Sequence, residues 1–162
     1  YAIRDDGSSS NIGRALLVQQ TMQASTGDTR TVTSSNSVDW STGNGWYIDL
    51  PDSGERVNVD PQLQLGTLVV ASNVPSSDAC TAGGYSWLNF LDFKTGRVID
   101  NTPARKIASS LIVGLNVVVL PGGKVVTIVT TAENQQRTEE TPVSPTSFEG
   151  RRVLWRELIV DQ

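Results

Sequence analysis

The chain has 162 residues, of which 38% are hydrophobic and 19% are charged, and its formal net charge is −4. These values suit one soluble globular domain and exclude a disordered chain. The chain contains no histidine, which excludes any catalytic triad or zinc site that needs one, and its few lysines disfavour nucleic acid as a partner.

The first third of the chain predicts short strands separated by polar turns. Residues 1–4 alternate like a strand, with no signal peptide ahead of them, so we expect a piece of a longer protein. Residues 5–11 form a polar loop. Residues 14–23 fit a helix or a strand, with the strand favoured, and residues 30–34 alternate like an edge strand.

The next segments predict a hairpin and a buried strand. Residues 45–50 and 55–60 are strand candidates joined by a turn at residues 52–54, and Pro51 and Pro61 end them because proline cannot donate to a ladder. Residues 63–71 are more continuously apolar, as a strand buried on both faces requires.

The second half of the chain predicts further strands. Residues 85–93 hold the densest aromatic cluster, and the turn at residues 94–96 leads into a returning strand at residues 97–99. Residues 110–120 and 124–131 predict a hairpin, because Pro121 presets φ and two glycines follow it. Residues 132–150 are polar and predict a long exposed loop, and residues 153–160 predict a last strand. The longest apolar run, residues 111–120, is too short to insert into a membrane.

Composition and pattern together predict an all-β protein, and one repeated form suggests which kind. Residues 87–98 contain an aromatic strand, Asp92, a Thr-Gly turn and a returning strand, and residues 1–5 begin in a similar way. In such a turn the Asp92 carboxylate caps the following amides, while Gly96 takes a left-handed conformation. The pattern is similar to the blade repeat of quinoprotein-like β-propellers, which implies antiparallel four-stranded blades. At about 40 to 50 residues a blade, residues 1–162 would hold about three to four blades of a partial propeller.

A more specific resemblance covers roughly residues 40–160. The blocks at residues 46–51, 54–57, 60–61, 83–84 and 86–88, together with residues 151–158, are similar to the C-terminal β-propeller of the PilY/PilC family of type IV pilus-tip adhesins. The residues that carry the resemblance, as structural or interaction positions, are Trp46, Asp49, Pro51, Gly54, Glu55, Arg56, Asp60, Pro61, Cys80, Gly83, Gly84, Trp87, Asp92, Gly96 and Trp155.

The resemblance implies a secreted, non-enzymatic protein of the bacterial cell surface or pilus tip. Such a protein would support pilus assembly, the balance of extension and retraction, attachment and twitching motility, with minor pilins and a host or abiotic surface as partners. Members of the family often bind calcium through regularly spaced aspartates. Asp5 and Asp6 lack that spacing, so the resemblance implies a calcium site elsewhere in the parent protein, and here an ordinary solvated turn.

Three residue groups have both a chemical and a structural interpretation. The tryptophans predict packing between blades, or an exposed platform for a sugar or protein partner, for which Trp40 is the best candidate because it lies in a loop. Asp49, Glu55, Arg56 and Asp60 predict a structural ion pair more readily than an acid pair with an arginine clamp.

Cys80 has no histidine to activate it, so burial or pairing with a cysteine elsewhere in the parent protein is favoured over a nucleophilic role. Two other functions remain open for the chain as a whole. One is a fragment of a quinoprotein-type propeller dehydrogenase with a redox cofactor, and the other is a carbohydrate-binding β module.

Overall fold

Strands are short at the start of the chain and long in its middle. The computed structural model describes residues 1–5, 7, 12–76, 83–107 and 110–143, and within these ranges every regular element is a strand apart from one 3₁₀ turn at Arg14–Leu16. The strands are β1 (Ala2–Ile3), β2 (Val18–Gln20), β3 (Thr29–Arg30), β4 (Gly45–Ile48), β5 (Gln62–Gln64), β6 (Thr67–Pro75), β7 (Gly84–Asp92), β8 (Ala104–Ile107), β9 (Ile112–Val119), β10 (Val125–Thr131) and β11 (Gln136–Glu140). The prediction of an all-β fold is therefore confirmed.

The strands form three sheets. The first sheet has the order β1-β4-β2, the central sheet β3-β8-β7-β6-β5, and the third sheet β11-β10-β9. Pairing is antiparallel except between β2 and β4, which run parallel. In the central sheet β6 and β7 pair along nine residues each, from Thr67 opposite Asp92 to Pro75 opposite Gly84. This long ladder is the framework on which the other elements lie.

The two faces of the central sheet pack against the two outer sheets. Alternation along a strand places successive side chains on opposite faces. Val69, Leu88 and Phe90 therefore pack in one cluster with Ile112 and Val129 of the third sheet.

The opposite face of the central sheet contributes a second cluster. Leu91 and the half-buried Leu68 pack there with Trp46 of the first sheet and with Met22. The described residues thus form three sheets stacked face to face, of three, five and three strands. The four-stranded blade expected from the sequence is not observed in them, and none of the sheets closes on itself.

The hairpin predicted over residues 45–60 is wrong. β4 pairs with β1 and β2, and the only ladder contact at residues 55–60 is a single bridge between Arg56 and Asn73 of β6. The turn at residues 52–54 instead directs the chain from the first sheet to the edge of the central sheet.

The single buried strand predicted over residues 63–71 is two strands. β5 and β6 form a hairpin whose turn is made by Leu65 and Gly66, with φ of 45° and 79°. Two successive residues with positive φ match the twist of a tight hairpin. The sequence does not reveal this turn, because leucine rarely takes a positive φ and Leu65 therefore looks like a strand residue.

Two further predictions in the second half are corrected, and one is confirmed. Residues 97–99 form only one bridge, Val98 to Leu91, instead of a returning strand. Within the loop predicted at residues 132–150, Gln136–Glu140 is β11, paired with β10. Its side chains are mostly exposed on both faces, so it lacks the apolar alternation by which strands are recognised. The hairpin of β9 and β10 around Pro121 is confirmed. Residues 144–150 and the predicted strand at residues 153–160 lie outside the described ranges.

Candidate functional site: a buried arginine–carboxylate network

A buried ion pair joins the central sheet to the loop after β4. Arg30, at the end of β3, donates from Nη1 to Oε2 of Glu55 at 2.8 Å and from Nη2 to Oε1 at 2.6 Å. Both side chains have no exposed surface. A bidentate arginine–carboxylate pair fixes both partners in orientation as well as in distance. The pair therefore holds residues 52–55 against the sheet.

Asp52 and two aromatic rings extend the pair toward β7. Cζ of the Arg30 guanidinium lies over the Trp87 ring, 4.6 Å from the ring centre. Nε1 of Trp87 donates to Oδ2 of Asp52 at 2.7 Å. The Tyr85 hydroxyl donates to the same oxygen at 3.0 Å. Burial first, and then the hydrogen bond and charge of Asp52, raise the pKa of Tyr85 above its usual value, because all of them disfavour a phenolate.

Two uncharged side chains complete the network. Asn89 Oδ1 accepts from Arg30 Nη2 at 3.0 Å and from Nε at 3.3 Å, while Asn89 Nδ2 donates to the carbonyl of Val70 at 3.0 Å. Ser72 donates its hydroxyl to Glu55 Oε1. The buried charges are thus paired and hydrogen-bonded, which is the condition under which buried charges are tolerated. The arrangement is suited to holding elements together, and the charges are not accessible to a substrate.

The acid pair with an arginine clamp is not assembled. Asp49 is exposed and forms an ion pair with Arg14, while Arg56 Nε donates to the carbonyl of Gly54 at 3.3 Å. Asp60 is exposed. Of the four candidates, Glu55 alone joins the network, and its partner Arg30 was missed in sequence. A lone arginine among three threonines and one valine at residues 29–33 was the available signal.

The tryptophans among the described residues pack inside the molecule. Trp46 is 2% exposed and donates from Nε1 to the carbonyl of Phe93 at 2.9 Å, and Trp87 is fully buried. Trp40 is half-buried against the cluster of Trp46 and donates from Nε1 to the carbonyl of Lys94 at 2.7 Å. The packing interpretation therefore holds for Trp46 and Trp87, while a partner contact by Trp40 stays a prediction. Trp155 lies outside the described part of the chain.

The turn after β7 has the predicted geometry. Asp92 Oδ1 accepts from the backbone N–H groups of Lys94 at 3.0 Å and Thr95 at 2.9 Å, and Gly96 has a φ of 71°. A Cβ at Gly96 would lie 2.7 Å from the ring of Trp46. The capping role predicted for Asp92 is confirmed, and the close approach of the ring gives a second reason for glycine at residue 96.

The remaining motif residues shape turns and edges. Gly54 has a φ of 74° in the turn that presents Glu55, and a Cβ at Gly84 would lie 2.2 Å from the carbonyl oxygen of Val74. Asp5 accepts from the backbone N–H of Gly7 at 3.0 Å, as in an ordinary turn. The other positions are Pro51 and Pro61, which are exposed, Gly83, which is half-buried, and Asp6 and Cys80, which lie outside the described residues.

Two further properties concern metals and membranes. The ranges that the structure describes contain no group of three or more aspartate, glutamate or cysteine side chains arranged to hold a metal ion. Nor does any helix in these ranges have the length and apolar character needed to span a bilayer.

Fold and network together define an all-β protein of stacked sheets with a buried Arg30–Glu55 ion pair that holds a loop against the central sheet. Its sequence is 37% identical over 124 residues to the type IV pilus biogenesis factor PilY1 homolog of Xylella fastidiosa (strain Temecula1). The match covers 68% of this chain and 8% of the relative, so the chain corresponds to a small part of that protein. This similarity supports the assignment of the chain to a PilY1-related type IV pilus factor. No protein-family profile matches the sequence, and no solved structure matches it.

Proposed function

We propose that the chain is part of a β-propeller in a non-enzymatic, tip-associated factor of type IV pilus biogenesis. The observation that carries the proposal is the similarity to the pilus factor of Xylella fastidiosa, which extends over two thirds of this chain. The role of the parent protein would be to support pilus assembly, the balance of extension and retraction, surface attachment and twitching motility.

The packing of the described residues supports the structural part of the proposal. Three sheets stack face to face through buried side chains, among them Trp46 on one side of the central sheet and Phe90 and Ile112 on the other. Propeller blades stack in the same manner, with mostly antiparallel strands. The turn capped by Asp92 supplies the local feature that first suggested a blade repeat.

Partners and location follow from the same proposal. The parent protein would be exposed at the cell surface or pilus tip, with minor pilins as protein partners and a host or abiotic surface as its target. Calcium would be bound by other parts of the parent protein, since Asp5 serves an ordinary turn in this chain.

A deletion in the natural full-length gene tests the proposal. Removing the codons for residues 1–143, with secretion of the shortened protein checked by immunoblot, should reduce surface pili and shrink the twitching zone. Restoring the segment with Asp49→Asn should restore both, because Asp49 forms an exposed ion pair outside the buried network. Normal piliation and twitching after a verified deletion would contradict the proposal.

A second measurement separates the proposal from the dehydrogenase alternative. The absorbance spectrum of the full-length protein from its natural source should contain no quinone band, and electron transfer to an artificial acceptor dye should not exceed that of heat-denatured protein. A bound quinone with turnover would replace the proposed function by the enzymatic one.

A further inference from the structure

An apolar cavity of about 350 Å³ lies between the first sheet and the central sheet. Trp46 and Ile48 of β4 form one wall, and Leu68 and Leu91 form the other. Tyr1 and Val57 also line it, and these two residues are 70% and 44% exposed. The cavity therefore opens to solvent at one side, where a ligand can enter.

Of the polar side chains that line the cavity, Trp46 and Asn89 already have hydrogen-bond partners, and Tyr1 lies at the solvent-exposed mouth. Asn89 is 1% exposed, and its amide already accepts from Arg30 and donates to the carbonyl of Val70. Among the residues that the structure describes, no charged side chain lines the cavity. A sugar or an ion would lose its hydrogen bonds to water without replacement, which costs free energy for each unpaired group. The lining is complementary to a neutral, apolar ligand.

The volume sets the size of that ligand. Ligand pockets commonly have volumes of about 300–1,000 Å³, with mostly apolar walls. A buried apolar cavity of about 150 Å³ holds benzene. At roughly twice that volume, this cavity fits a molecule of about two aromatic rings.

We propose that this cavity is a binding site for an uncharged, apolar small molecule of about two rings. The site adjoins the Arg30–Glu55 network through Asn89, whose amide is held by that network, and it does not depend on the pilus-related role. Val57 at its mouth controls access, because it lines the cavity while remaining partly exposed.

Titration of the 162-residue chain with naphthalene and with the neutral dye N-phenyl-1-naphthylamine tests the site. We expect saturable dye fluorescence, displacement by naphthalene, and no displacement by glucose or galactose at 100 mM. Val57→Phe should weaken dye binding at least tenfold by filling the mouth. The matched control is Val113→Phe, on the third sheet and 58% exposed, which should bind the dye like the unmodified chain. Displacement by a sugar, an equal loss in both variants, or unchanged binding in Val57→Phe would overturn the proposal.

Methyl NMR of the unmodified chain gives a test that needs no variant. Naphthalene should shift the methyl resonances of Ile48, Leu68 and Leu91, which line the cavity, and leave those of Ile112 and Val129 unchanged, since these lie on the opposite face of the central sheet. Shifts confined to the second group, or no shifts in water saturated with naphthalene, would overturn the proposal.

Discussion

At the scale of single residues, two ion pairs of the same charge type differ in burial. Arg30 and Glu55 have no exposed side-chain surface, while Arg14 and Asp49 are 47% and 57% exposed. Water screens the exposed pair, but it cannot solvate a charge left alone in the buried one. The two pairs should therefore respond very differently to the loss of one carboxylate.

Glu55→Gln should lower the free energy of unfolding by about 3–5 kcal/mol, because it leaves the Arg30 charge buried without a counter-charge. The matched control Asp49→Asn should lower it by about 1 kcal/mol or less. Urea unfolding followed by tryptophan fluorescence measures both. Equal losses in the two variants would mean that the network is not a structural anchor.

Removing both buried charges is a separate test of the same network. The double variant Arg30→Met with Glu55→Leu should be more stable than Glu55→Gln alone, because it leaves no buried arginine without its Glu55 counter-charge. The remaining carboxylate, Asp52, is partly exposed and keeps its hydrogen bonds from Trp87 and Tyr85. A double variant that is less stable than Glu55→Gln would show that the hydrogen bonds to Asn89 and Ser72 matter more than the charges.

An exposed turn supplies the prediction on pH. The hydroxyls of Ser41 and Thr42, followed by the backbone N–H of Ser41, donate to Asp39 and lower its pKa from 3.8 to about 2. A lowered carboxylate pKa contributes stability that is complete above about pH 4 and is lost as the pH falls through 2. Asp39→Ala should therefore have a lower melting temperature than the unmodified chain at pH 5, and the difference between the two melting temperatures should be smaller at pH 2. A gap of constant size across this range would contradict the assignment.

At the scale of elements, the turns differ in how much they depend on glycine. Gly96 and Gly122 both have positive φ, at 71° and 93°. A Cβ on Gly96 would lie 2.7 Å from the Trp46 ring, whereas a Cβ on Gly122 has no heavy atom within 4 Å. Replacement by alanine would therefore strain the backbone at both positions, but only at Gly96 would the new side chain also collide with a neighbour.

Gly122→Ala should lower the free energy of unfolding by about 1–2 kcal/mol, the usual penalty for a residue with a side chain in the left-handed conformation. Gly96→Ala should cost clearly more, because Trp46 must also move. Thermal unfolding of the two variants measures the difference. If they lose the same stability, Trp46 is not held against the turn as tightly as its buried hydrogen bond to Phe93 indicates.

The elements also show how far the sequence could predict this fold. The β9–β10 hairpin and the Asp92 turn were predictable because proline, glycine and aspartate act locally. The β5–β6 turn and β11 were not, because Leu65 takes a conformation that leucine disfavours and β11 has no apolar face. The Arg30–Glu55 pair joins residues 25 positions apart, and no local pattern indicates which arginine reaches which carboxylate.

At the scale of the whole molecule, the central sheet is shared by both hydrophobic clusters. Val69 and Phe90 belong to one cluster, and Leu91 belongs to the other. Because β6 and β7 contribute to both interfaces, neither outer sheet can unfold fully without exposing apolar surface on them. The most stable part of the molecule is therefore expected at this ladder.

Hydrogen exchange tests that order. Amides of β6 and β7 that bond within the ladder should exchange only through global unfolding, while those of β1 and β11 should exchange faster through local opening. Native-state exchange in low urea, read by NMR, distinguishes the two classes. Faster exchange in β6 than in β11 would contradict the central role of the ladder.

The position of β3 also limits how the protein can be divided. Thr29–Arg30 lies between β2 and β4 in sequence, both strands of the first sheet, yet it pairs with β8 at the edge of the central sheet. A cut in the loop at residues 37–44 would therefore remove an edge strand and Arg30 from the central sheet. Recombination or gene fusion would preserve this pairing only where the breakpoint leaves residues 1–107 together.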